Sequence, residues 1–249
     1  MGLELAIFWG FVSGLPLVAG AIVTRFFTFN KKTIGIIMAF GSGVMISVIS
    51  FSLMKEAYEL GGIIPISVGF TVGAIIFGIG NREIHKRGAR HRKRPFHPET
   101  KNMKATGLVL ALGSLMDNIP ESIALGISLV GASSVTSALL AGIILTNFPE
   151  AVASSQAMKV VKRNPKYILS TWGSIAAANI AAAAAGFLFF GQIGPEGVAI
   201  ALSLAAGAIL AMLAETMMPE AYELGGFHIS LATAAGFLVA FVIGLQSMT

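Results

Sequence analysis

The chain of 249 residues contains no cysteine. Disulfides and thiolate metal ligands are therefore both excluded. Charge is scarce as well: Asp, Glu, Lys and Arg make up 12% of the residues, where a soluble domain carries about a quarter. No GxxxxGK[ST] segment is present, so the chain itself has no phosphate loop for ATP. Neither HExxH nor a paired serine and base occurs, which leaves no basis for an intramembrane protease, and no enzyme is expected. Hydrophobic residues fill the space left by charge, at 55% of the chain with a mean hydropathy of +0.81. They fall in long continuous runs rather than in alternation, so membrane-spanning helices are expected and strands are not.

A crossing needs about 20 residues. Apolar stretches near 5–24, 34–54, 62–80, 105–131, 134–158, 167–190, 195–219 and 229–247 give eight spans in one transmembrane domain covering residues 1–249. The expected fold is all-α and integral to the membrane, with almost nothing left for a separate soluble domain. Breaks without Lys or Arg, Gly/Ser-containing at 131–134 and Gly-rich at 191–197, separate some spans, and basic clusters separate others.

The formal charge of +5 could suggest nucleic acid, but its placement argues against that partner. All seventeen Lys and Arg residues sit between spans, and sixteen of them fall in the odd-numbered breaks. Arg25, Lys31 and Lys32 occupy the first break, nine residues from Arg82 to Lys104 the third, and Lys159, Lys162, Arg163 and Lys166 the fifth. Lys55 stands alone in the second. By the positive-inside rule the odd breaks are cytoplasmic and both termini face outside. The start MGLELAIFWG lacks a basic n-region, so no cleaved signal peptide is expected. The third break, 81–104, carries His85, His91 and His97. It could hold metal or contact phospholipid, but orientation alone accounts for its charge.

Two internal repeats stand out. EAYELGG occurs at Glu56–Gly62 and again at Glu220–Gly226, with Gly43 aligning to Gly207 and Met54 to Met218. The copies end spans two and seven, which are five crossings apart and so run in opposite directions. NIPE at 118–121 and NFPE at 147–150 form a second antiparallel pair, in spans four and five. Together they imply a 3+2+3 arrangement about an axis in the membrane plane, a pattern of transporters with a site near the midplane.

Polar groups occur where lipid should forbid them. Asp117, Asn118 and Glu121 lie mid-span in helix four, Thr146, Asn147 and Glu150 in helix five, and Glu215 in helix seven, with Glu220 nearer its end. One carboxylate at the bilayer centre costs about 3 kcal/mol even on lenient scales. Several are tolerable only if they face each other and share a cation or protons. Asp117 and Glu121 share a helix face at i,i+4, as do Asn147 and Glu150 at i,i+3. Pro120, Pro149 and Pro219 leave the carbonyls of Met116, Leu145 and Glu215 without their helical partner. Carbonyls beside carboxylates form an oxygen-rich cage of the kind divalent cations take. Met45, in the GSGVM stretch of helix two, could add a thioether. The Ala-rich run 176–185 with Gly186 reads as a close helix contact, with Asn179 able to bond across it, and such small-residue faces on helix six permit a homodimer.

With these motifs the chain resembles the ZIP (Zrt-, Irt-like protein) family of divalent metal transporters, and within it the bacterial GufA-type branch. The resemblance covers eight spans, outside termini and a long His-containing loop between spans three and four. The segments DNIPES and TNFPEA are similar to the family's two binding helices. The resemblance implies a binuclear site at mid-membrane built from Asn118, Glu121, Asn147 and Glu150. It implies that Glu215, in AETMMPE, can complete the second metal, and that Met45 borders the site. Two departures matter: Asp117 stands where the family usually has histidine, and Thr146 where it often has His or Gln. The site is then nearly all oxygen. Imidazole suits zinc while carboxylates and carbonyls suit harder ions, so Mn(II) or Fe(II) uptake becomes plausible beside Zn or Cd.

The expected function is movement of a divalent metal towards the cytoplasm by alternating access, in a multi-pass protein of the plasma membrane, the inner membrane in a bacterium. No catalytic cofactor is expected, and the partners are the metal ion and the lipid bilayer. Two alternatives stay open: a carrier of organic cations, and a metal sensor that does not transport.

Overall fold

The computed structural model describes residues 2–84, 86, 103–130, 137–190 and 192–246. The breaks 85, 87–102 and 131–136, with most of the basic 81–104 segment and its histidines, lie outside the described residues. Among the described residues the chain is helical throughout and has no strand. Eight rods follow one another: α1 (Gly2–Phe26), α2 (Lys31–Gly61), α3 (Ile63–Ile84), α4 (Met103–Ile127), α5 (Ser137–Val160), α6 (Pro165–Phe190), α7 (Gly194–Gly225) and α8 (His228–Gln246).

Local chemistry sets their ends. The Asn30 side chain accepts from the Lys32 backbone N–H at 3.1 Å and caps α2. Asn164 does the same for α6 through Lys166 at 2.8 Å, with Pro165 at the first helical position. Both EAYELGG copies stop at their last glycine, Gly62 with φ 73° and Gly226 with φ 62°, each N–H closing on the carbonyl of Tyr58 or Tyr222. Glycine enters this left-handed region without the penalty a Cβ would bring.

Six rods, α1, α2, α3, α6, α7 and α8, are long and apolar enough to cross a membrane. The other two, α4 and α5, are of similar length but are interrupted by the polar residues of the NxPE segments. The outward surface is apolar, with Ile64, Phe189, Phe227 and Leu231 among its exposed side chains. A surface of this kind and extent is stable in hydrocarbon and not in water. The chain is a membrane-embedded, all-helical protein.

Burial orders the rods. In their most apolar stretches α2 and α7 are 67% buried, whereas α1, α3, α6 and α8 lie between 17% and 39%. Glycines set the closest approaches. Gly35 near the start of α2 meets Ala221 and Gly225 at the end of α7, and Gly61 at the end of α2 meets Ala199 near the start of α7. These central rods therefore run antiparallel. On α2, Gly43 abuts the Thr233 carbonyl of α8, while Gly236 abuts that of Phe40; on α7, Gly207 abuts the Phe70 carbonyl of α3, while Gly73 abuts that of Leu204. The two crossings are images of one another: residues of α2 map onto α7 at an offset of 164, and α3 maps onto α8 one residue shorter. A second group forms where Gly10 and Gly14 of α1 pack on Ala183 and Ala176 of α6, Gly20 of α1 on Ala151 of α5, and Gly126 of α4 on Ala183. The Ala-rich face of α6 is thus filled from within the chain.

Both central rods contain a widened π turn, Ile49–Leu53 in α2 and Leu213–Met217 in α7. The two segments correspond residue for residue at the 164 offset. Pro219 follows the second, but Lys55 occupies its place after the first. The wide turn therefore belongs to the repeat and not to the proline. Turns of this kind concentrate at functional sites.

Candidate metal centre

Helices α4 and α5 pass each other at their NxPE segments, and every polar residue of those segments is withdrawn from the surface. Asp117, Asn118, Glu121, Thr146, Asn147 and Glu150 are each no more than 2% exposed. The helices meet antiparallel: Asn118 Nδ2 reaches Glu150 Oε2 at 3.5 Å, and Thr146 Oγ1 reaches Glu121 Oε1 at 3.4 Å. Asn118 and Glu121 of α4 thus meet Glu150 and Thr146 of α5 at one contact.

Neighbouring rods hold the amides. Asn118 Nδ2 also donates to the Ser114 carbonyl at 2.8 Å, while its Oδ1 accepts from Asn179 Nδ2 of α6 at 3.2 Å. Asn147 Nδ2 donates to the Ser13 carbonyl of α1 at 2.9 Å, across a helix pair that mirrors the first. With its N–H bond made, Asn147 leaves its buried Oδ1 with no hydrogen-bond partner. A buried carbonyl oxygen in that state costs about 1–3 kcal/mol. It is a ready ligand for a cation. Thr146 Oγ1 turns back to the Gly142 and Ile143 carbonyls, both at 3.1 Å, so its hydroxyl is shared between the helix and Glu121.

Met45 is fully buried and its sulfur lies against Gly142, one turn before Thr146. The Leu145 carbonyl, which Pro149 deprives of its helical partner, lies against Gly41 of α2. That oxygen is taken up in a close helix approach, not gathered among the carboxylates.

Glu215 stands apart. It is exposed, in the π turn of α7, and accepts from Asn81 Nδ2 of α3 at 2.6 Å beside a groove containing Arg82 and Lys86. Nothing in the sequence pairs Asn81 with it beyond a polar residue at the foot of span three. Glu220 is 8% exposed at the α7 end that packs on α2. Lys55 and Glu59 form an exposed ion pair at 3.9 Å, and His228 is exposed against Phe227. Among the described residues, no three His, Cys, Asp or Glu side chains gather closely enough to hold a metal by themselves. The groups that meet at the α4–α5 contact are the carboxyls of Glu121 and Glu150, the Asn118 amide and the Thr146 hydroxyl.

No protein-family model matches the chain, and no curated protein matches it. The reading of the site rests on its chemistry.

What the arrangement can do follows from burial. A buried carboxyl inside a span is costly unless it is hydrogen-bonded or serves a cation. Hard oxygen donors, with one thioether nearby, suit Mn(II), Fe(II) and Zn(II) in that chemical order of fit to oxygen. The bulk of the chain supplies the dry walls.

Proposed function

We propose that this chain is a ZIP-type carrier of divalent metal ions with eight membrane crossings and both termini outside. The observation that carries the reading is the antiparallel meeting of two proline-bearing helices whose NxPE acids and amides are all buried, with Asn118 on Glu150 and Thr146 on Glu121. Acids placed mid-helix in an apolar chain are expensive unless they serve a cation. Lys and Arg clusters between alternate helices favour cytoplasmic odd breaks.

In the proposed cycle a hydrated cation enters from outside and exchanges its water for Asp117, Asn118, Glu121, Asn147 and Glu150. Asn147 Oδ1, already desolvated and without a partner, gives a ligand at no further cost in broken hydrogen bonds. Asn179 and the Ser13 carbonyl hold the two amides in orientation. The site helices pack with α1 and α6, whereas α2, α3, α7 and α8 interlock through glycine crossings. Alternating access then moves the first group against the second around the fixed ion, as repeat-built carriers do.

The test is reconstitution into liposomes with a metal-sensitive dye inside and Mn, Fe, Zn or Cd outside. Saturable influx by the wild type, lost in Glu121→Ala and in Glu150→Ala, is the expected result. Equal flux in all three proteins would sink the site assignment. Metal binding without flux would favour a sensor, and flux of an organic amine in place of metal would favour the organic-cation carrier. Zinc outcompeting every other metal at low concentration would refute the preference for harder ions.

A further inference from the structure

A cleft between the end of α1 and the start of α6 has no part in the metal centre. We propose that it binds one anionic phospholipid, with the headgroup on Arg25 and Lys159 and an acyl chain along Ile22, Ile168 and Leu169. The cavity measures about 230 Å3 and is walled by these apolar side chains together with Phe26. Ile22 and Leu169 are each 45% exposed and Phe26 is 72% exposed, so the trough opens onto the apolar flank of the protein. An occupant must therefore offer a hydrocarbon chain.

It must also offer an anion. Arg25 and Lys159 line the same cavity, and among the described residues neither is paired with a carboxylate. Lys159 Nζ donates once, to the Thr24 carbonyl at 2.6 Å, which holds the ammonium over the last turn of α1 and leaves two of its three N–H donors. The adjoining turn adds exposed Lys162 and Lys166. Lys162 sits at φ 56°, in the left-handed region where glycine is favoured. The turn thus keeps a cation where backbone preference asks for none. Basic pockets between helices at the membrane surface take acidic headgroups. A free phosphate would satisfy the cations but leave the trough empty; a zwitterionic lipid would fill the trough but bring a compensating positive charge.

The full-length protein, reconstituted in vesicles of phosphatidylcholine and phosphatidylglycerol at three to one, is extracted and washed in detergent, and retained lipid is counted by native mass spectrometry. The wild type should keep about one phosphatidylglycerol per chain over phosphatidylcholine. Arg25→Gln with Lys159→Gln should lower that occupancy at least several-fold, and Arg25→Gln alone should lower it in part. Arg25 is exposed and its removal breaks no hydrogen bond, so that single variant folds. Arg82→Gln with Lys86→Gln removes the same charge elsewhere and should retain the lipid. Equal loss in both double variants would mean bulk charge and overturn the site, as would equal retention in all. Equal retention of phosphatidylcholine, or displacement by millimolar glycerol phosphate, would overturn it too. Metal flux is not the readout, so failure here leaves the carrier reading standing and the reverse also holds.

Discussion

Replacing Gly43 by alanine places a methyl group on the Thr233 carbonyl, and replacing Gly207 places one on the Phe70 carbonyl. In each case the obstacle is backbone, not the movable end of a side chain, so the two rods must separate. Overpacking of this kind costs about 1–3 kcal/mol. Alanine returns up to about 1 kcal/mol through helix propensity, leaving a net loss of up to about 2 kcal/mol at either position. Gly173 supplies the contrast, because a Cβ there meets nothing within 4 Å. Gly173→Ala should keep the propensity gain and stabilise the protein by up to about 1 kcal/mol. Thermal unfolding in a mild detergent, followed by fluorescence-detected size exclusion, reads all three variants on one scale. Gly43→Ala and Gly207→Ala should lower the midpoint alike, while Gly173→Ala raises it or leaves it. A Gly43→Ala shift no different from that of Gly173→Ala would refute the close crossing. A loss confined to one copy would refute the correspondence of the halves.

The turn glycines test backbone conformation without any clash, since a Cβ at Gly62 or Gly226 also meets nothing within 4 Å. Gly62→Ala and Gly226→Ala should each lose about 1–2 kcal/mol in the same unfolding assay, with asparagine recovering part of it; full wild-type stability of the alanine variants would contradict the left-handed turn. Asn179→Leu removes the donor to Asn118 Oδ1, leaving a buried acceptor at a cost of about 1–3 kcal/mol. Half-saturating metal should rise in that variant before maximal flux falls; an unchanged metal response would assign Asn179 to packing alone.

Hydropathy located each rod, because in a chain this apolar the polar breaks are few. The ends of α2 and α7 fell outside its reach: both helices continue through Lys55–Gly61 and Met218–Gly225, where charged and tyrosine side chains end the apolar signal but not the backbone hydrogen bonds. The candidate centre was legible on α4 and α5 because regular i,i+3 and i,i+4 spacing holds through a single helix. Asn179 was legible as a cross-helix donor for the same reason. Glu215 was not. Its partner Asn81 comes from α3, and the π turn Leu213–Met217 changes which face of α7 the residues in it present, neither of which a spacing along one helix encodes. The Leu145 carbonyl was legible as unpaired, but its neighbour Gly41 comes from a distant rod that no spacing on α5 encodes.

The exchanged crossings of α2 on α8 and α3 on α7 constrain the order of synthesis. Gly43 finds its partner strip only when the segment around Gly236 has been made, so most of the chain separates the two. At about 5–20 residues per second that interval is on the order of ten to forty seconds. Throughout it the notched flank of α2 must be covered by lipid tails or by an insertion factor. A ribosome that stalls after α6 therefore releases a product whose first half has no mate, and it is this half, not the α4–α5 contact, that a quality-control protease at the membrane would meet first.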